Sequence, residues 1–249
     1  MKKLKRLLRF SLFLITVFCL AFLVTGSAAI FRPSLLDSLP KAQEARRLIF
    51  LRDAVRERVR QREDYVTIDK IPDSLLEAVV AVEDSRFYSH HGFDPEAIAR
   101  AMLVNLQYGR IEEGASTITQ QLAKNLFLSD EQSLDRKLEE ALLALDLEAH
   151  YSKDEILELY LNTIYFGSGF YGVHEASVGY FGKEPEELDL PETSMLAGIP
   201  NAPSAYSPYV DFMLSKKRQI VVLDAMVRTG CITESVAESA KIKPLYFAR

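Results

Sequence analysis

The chain has 249 residues, 48% hydrophobic and 26% charged, with a formal net charge of −5. That composition belongs to a folded globular protein and excludes wholesale disorder. The acidic balance gives no support for nucleic-acid binding. The length allows one domain with a substantial core, or two small lobes.

The first nine residues, MKKLKRLLR, carry five Lys or Arg, and Phe10 to Phe31 follows without a charge. An apolar run of 22 residues is long enough to cross a hydrocarbon core of ~30 Å as a helix. Basic residues stay on the cytoplasmic side, so the sequence predicts a cytoplasmic tail over 1–9, a transmembrane anchor over 10–31 and an extracytoplasmic remainder. A cleaved signal peptide is the alternative, because Gly26, Ser27, Ala28 and Ala29 are small. Residues 32–64 form a juxtamembrane segment. Its stretch 41–64 has a helical pattern with eight basic and five acidic residues. It reads either as a solvated helix or as a surface held against anionic headgroups. Cys19 lies in the apolar run and Cys231 near the end, so a disulfide between them is not expected. No Cys/His cluster has zinc spacing, and no protein metal site is expected.

Residues 65–249 read as one all-α domain. Ser74 with Glu77, Ser129 with Gln132 and Ser152 with Glu155 fit capping boxes. Asp94-Pro95 gives an N-cap followed by proline at the first helical position. Leu134, Leu138, Ala141, Leu142 and Leu145 form an apolar helical stripe. Pro191 opens a short helix, and Gly230 stops one over 212–228. Only Tyr65 to Ile68 hints at a strand. Repeats, a Gly-rich phosphate loop and low-complexity linkers are lacking.

Four stretches could carry chemistry. In 78–92, AVVAVEDSRFYSHHG, an apolar helix ends in Glu83 and Asp84. The negative end of a helix dipole and apolar neighbours both disfavour a charged carboxylate, which suits a general acid or base. A helix-terminal acid facing water is the ordinary alternative. In 114–125, GASTITQQLAKN, Ser116, Thr117, Thr119, Gln120 and Gln121 could bond a sugar or phosphate, and Lys124 an anionic oxygen. A polar cap on a solvated helix face would look the same. Arg136, Lys137 and Glu140 follow. Arg136 and Glu140 are four apart and share a face, as a surface ion pair or as cation and acid in a cleft. In 153–162, KDEILELYLN, Tyr160 and Leu161 could be core and Asn162 a C-cap.

Taken together, these motifs resemble glycosyltransferase family 51, the bacterial peptidoglycan glycosyltransferases, over about residues 65–228. Glu-Asp-x-x-Phe-x-x-His-x-Gly is met by Glu83, Asp84, Phe87, His90 and Gly92. Gly-x-Ser-Thr-x-Thr-Gln-Gln is met by Gly114, Ser116, Thr117, Thr119, Gln120 and Gln121, with Lys124 and Asn125 continuing it. Arg136, Lys137 and Glu140 meet Arg-Lys-x-x-Glu. Lys153, Ile156, Leu157, Tyr160, Leu161 and Asn162, with Gly167, meet the fourth motif. The fifth, Arg-Arg-x-x-Val-Leu, keeps Arg218, Val222 and Leu223, but its second Arg is Gln219. Ser177 stands where Ala is frequent.

The resemblance implies a lysozyme-like, two-lobed all-α domain that polymerises lipid II by inverting transfer from a glycan on a polyprenyl pyrophosphate. Glu83 would take the proton of the acceptor hydroxyl, and Glu140 would orient the cations or support the donor site. Asp84, Arg86, Ser116, Thr117, Gln120, Gln121, Lys124, Asn125, Arg136 and Lys137 would hold substrate and pyrophosphate. No cofactor is required on this reading, with a divalent cation, Mg or Mn, as an aid. The implied setting is the cytoplasmic membrane of a bacterium, with cell-wall synthesis proteins as partners. The alternatives are a muramidase-like hydrolase, since two carboxylates in an α-helical cleft also suit hydrolysis, and a non-catalytic membrane scaffold. Bifunctional relatives add a penicillin-binding Ser-x-x-Lys centre. Ser38-x-x-Lys41 fits that string beside the apolar run, Tyr160-x-Asn162 only superficially resembles a second element, and no Lys-Thr-Gly occurs. A monofunctional chain is therefore expected.

Overall fold

The computed structural model describes Val55, Arg58, Val59 and residues 62–109, 114–128 and 133–248. The expected tail and span, most of the juxtamembrane segment, and the Ser129–Gln132 box lie outside these residues. Among those described, no helix is long and apolar enough to cross a membrane.

Ten α-helices make up most of the regular structure of the described residues, with short 3₁₀ turns between some of them: α1 (Asp73–Glu83), α2 (Pro95–Tyr108), α3 (Ile118–Phe127), α4 (Leu134–His150), α5 (Lys153–Thr163), α6 (Val173–Phe181), α7 (Leu190–Gly198), α8 (Pro203–Tyr206), α9 (Phe212–Arg228) and α10 (Glu234–Ile242). The all-α expectation holds. The hint of a strand at 65–68 does not: Ile68–Lys70 is a 3₁₀ turn, and the extended pairings are two isolated bridges.

Local chemistry explains most boundaries. Asp94 caps α2, accepting from the amides of Glu96 (2.9 Å) and Ala97 (3.1 Å) ahead of Pro95. Thr117 with Gln120 and Ser152 with Glu155 form reciprocal capping boxes on α3 and α5. Asp189 caps α7, and Gly230 lies beyond α9 at φ +80°. The Ser74–Glu77 box does not form, because α1 begins at Asp73 after Pro72 and Ser74 is already inside it. Its hydroxyl instead lies 3.1 Å from that of Thr193 on α7. Asn162 is no C-cap either. It is buried within α5 and clamps the backbone of Val66, donating to its carbonyl and accepting from its amide, both at 2.8 Å.

The core sits around two helix groups. Helix α7 packs on α1 and α9, and α9 also meets α10. From Pro191 to Gly198 every residue of α7 is buried, so it is surrounded by protein on all sides. Its polar side chains are satisfied: Glu192 binds Lys183 at 2.6 Å, and Ser194 reaches the Pro191 carbonyl. In the second group α3 packs on α4 and α5, burying Leu122, Ala123 and Leu126 with Leu147, Ile156 and Leu157.

Helix α4 corrects one expectation. Leu138 and Leu142 are exposed, and the buried face carries Glu140, Leu143, Ala144 and Leu147. Both sets have helical spacing, so periodicity alone did not decide which would face α3.

Candidate active site

Helix α1 delivers Glu83 and Asp84 to a cavity of about 890 Å³. Its wall continues through Ser116, Thr117 and Gln121 at the start of α3, Arg100 on α2, and Arg218 and Arg228 on α9. Residues distant in sequence therefore meet at one opening that holds the first two motifs.

Glu83 is the last residue of α1, with its side chain 7% exposed. Its Oε2 accepts a 2.9 Å hydrogen bond from Gln121 Nε2. Its Oε1 is buried without a hydrogen-bond partner, and Arg218 Nη2 lies 3.5 Å away. Burial pushes the carboxyl above its ordinary range, and Asp84 adds to this; Gln121 and Arg218 offset it in part. The expectation of a helix-terminal acid with a raised pKa holds, but the carboxyl is enclosed and does not face water.

Asp84 is engaged on both oxygens. His90 Nε2 lies 2.9 Å from each, and the Ile118 amide, at the N-terminus of α3, donates to Oδ2 at 3.1 Å. Burial raises its pKa, with His90 acting the other way. This geometry joins α1 to α3 and so holds Glu83 beside Gln121. Gly92 serves the same junction. Its φ is +83°, a Cβ there would meet Ala144 backbone at 3.2 Å, and its carbonyl accepts from Thr117 Oγ1 at 2.7 Å.

Glu140 is buried on α4, and its partner is Lys137, three residues earlier, rather than Arg136. Lys137 also donates to Ser116 Oγ at 3.0 Å. Glu140 thus connects to the cavity wall through an ammonium and a hydroxyl. The remaining expected residues are spread wider. Gln120 is spent on the α3 cap. Arg86 pairs with Asp94 at 3.3 Å and with Glu96. Lys124 and Asn125 are exposed on α3, and Arg136 is half-buried on α4; none of the three is in the cavity wall. Thr119 Oγ1 reaches Glu148 at 2.6 Å, which in turn holds Lys153 at 2.7 Å.

Arg218 is the site residue that sequence reasoning undervalued. It was visible only as one position of the fifth motif. Its side chain runs across Gly198, where a Cβ would stand 2.9 Å from Arg218 Cγ, and lies over the Tyr206 ring at 5.7 Å. Gln219, in place of that motif's second Arg, points the other way. It is fully buried and donates to the Pro191 carbonyl at 2.6 Å. A charged side chain there would sit between α7 and α9, outside the cavity. Ser177 is equally settled, donating to the Lys183 carbonyl at 2.6 Å.

Comparison with known proteins shows the family. A family model described as Transglycosylase matches residues 52–227. Penicillin-binding protein 1A of Aquifex aeolicus is 51% identical over 185 residues, covering 74% of this chain and 26% of its own length. Penicillin-binding protein 1A of Escherichia coli is 47% identical over 180 residues, covering 72% of this chain and 21% of its own. This chain therefore spans about a quarter of those relatives. A protein of Cupriavidus necator provisionally named a transglycosylase is 46% identical over 186 residues, covering 75% of this chain and 80% of its own length. The chain belongs to the transglycosylase family, the peptidoglycan glycosyltransferases.

Proposed function

We propose that this chain polymerises lipid II into β-1,4-linked glycan strands. The observation that carries the reading is Glu83, a buried carboxylate on the cavity wall with one oxygen tethered and the other free of hydrogen bonds. A carboxyl whose pKa is raised by burial is matched to taking a proton near neutral pH. The Glu83 carboxylate accepts the proton of the acceptor sugar's 4-hydroxyl as that oxygen attacks the donor's anomeric carbon. The bond from that carbon to the pyrophosphate oxygen breaks with inversion, and the polyprenyl pyrophosphate leaves with the electron pair. Charge grows on the leaving group, so cations at the cavity lower the barrier most. Arg218, Arg100 and Arg228 line it, and Lys137 reaches its edge at Ser116. Where Mg or Mn takes part, we assign it to the substrate pyrophosphate.

The lysozyme-like two-lobed arrangement belongs to this reading, as does a membrane setting. Helix α2 supports the latter. Only Ala101 of its residues is buried, whereas Ile98, Met102, Leu103 and Leu106 are exposed. Such a contiguous apolar face beside the cavity suits contact with lipid tails, where both substrates are anchored. The anchor over 10–31 and the extracytoplasmic location rest on the sequence pattern. Incubating the chain with lipid II in detergent or vesicles tests the reading. Long strands are expected; cleavage of preformed strands would favour a hydrolase, and no reaction a scaffold.

A further inference from the structure

We propose that Tyr160 is a positioning residue for Glu83, acting through Gln121 to fix which end of the side-chain amide meets the carboxylate. This rests on the reading of Glu83 as general base. Three helices supply the three groups: Glu83 ends α1, Gln121 lies in α3 and Tyr160 in α5.

Tyr160 is fully buried among the packed helices. A buried hydroxyl must place its proton on an acceptor. Among the described residues its one hydrogen bond is to Gln121 Oε1, at 3.1 Å. The other end of that amide, Nε2, donates to Glu83 Oε2 at 2.9 Å. A glutamine amide has one accepting end and one donating end, and the network decides its orientation. With no second acceptor, the Tyr160 proton holds Oε1 toward itself and leaves the NH₂ facing Glu83. A donor facing a carboxylate favours the ionised form that a base needs. The flipped amide would set oxygen against oxygen and favour the protonated acid.

The other groups near Glu83 do not perform this task. Asp84, the next residue, disfavours its charge, and Arg218 from α9 favours it across 3.5 Å. Helix α7 also packs on α1, but its one charged side chain, Glu192, is paired with Lys183. Tyr160 itself stays neutral, because burial and the two nearby carboxylates push its pKa well above the usual value.

The test is the pH profile of lipid II turnover by the full chain, with thermal melts alongside. Tyr160→Phe keeps the ring and removes the hydroxyl. Its acid limb should move up by roughly one pH unit, a tenfold change in the acid constant, while turnover well above the limb falls much less. Gln121→Met, of equal length but without the donor, should move the limb the same way, and serves if Tyr160→Phe does not fold. Equal loss at every pH with an unmoved limb would leave Tyr160 as packing and overturn the proposal. Glu83→Gln separates the two ideas. If that variant retains the wild-type profile, the base reading fails and this proposal with it. If it loses the limb while the other two variants do not shift theirs, the positioning role alone is wrong.

Discussion

Glu83 and Glu140 are both buried glutamates beside a cation, yet their surroundings differ in kind. Glu83 meets a neutral amide, a guanidinium at 3.5 Å and an oxygen without a hydrogen bond. Glu140 is held by the ammonium of Lys137, whose side chain is 52% exposed and also bound to Ser116. The first arrangement leaves a carboxylate under-satisfied and so ready to bind a proton. The second satisfies its carboxylate and spends it on holding a cation at the cavity edge. The difference assigns base to one and support to the other.

The largest effect should come from breaking the first. Glu83→Gln keeps the shape but cannot accept a proton, so turnover should fall by roughly 10²–10⁴-fold. Next comes Arg218→Ala, which removes a cation from the cavity and should cost roughly 10²-fold in turnover. Arg218→Lys should recover only part, because an ammonium is a poor substitute for a planar guanidinium. Glu140→Gln should cost at least tenfold less than Glu83→Gln, with little change in melting temperature, since an amide oxygen can still accept from the half-exposed Lys137 ammonium. Equal losses from the two glutamate variants would erase the contrast.

Stability sharpens the same comparison. Glu83's pKa is raised in the folded state, so protonation favours folding. Its contribution is fully present below the ordinary carboxylate range and is lost as pH rises through the raised value. Glu83→Gln should therefore melt at the wild-type temperature in acid, increasingly above it as pH rises from the ordinary carboxylate range to the raised value, and by a constant margin beyond. The junction that aligns the site is read by stability alone: Gly92→Ala should destabilise by about 1–3 kcal/mol, through its positive φ and the adjoining α4 backbone, as read by denaturant melts.

Much of this was legible in the sequence because local chemistry fixes it. The Asp94-Pro95 start, the Ser152 box, the short helix at Pro191 and the stop at Gly230 depend on residues next to one another. The carboxylate at the end of α1 was legible for the same reason. What depends on packing was not. Helix α4 has two sets of leucines at helical spacing, and only contact with α3 selects Leu143 and Leu147 over Leu138 and Leu142. Asn162 sits where a C-cap would, yet its partner, Val66, is distant in sequence. Lys137, the partner of Glu140, also donates to Ser116, a residue distant in sequence. Arg218 became a site residue only once α9 had been folded beside α1.

The most direct test of the central claim, that Glu83 is the base, is lipid II turnover by Glu83→Gln and wild type across pH, on protein shown by thermal melts to be folded. The account predicts a wild-type acid limb above the ordinary carboxylate range. It predicts a variant with roughly 10²–10⁴-fold less activity and no such limb. Near-normal turnover by the folded variant, with the limb unchanged, would contradict it.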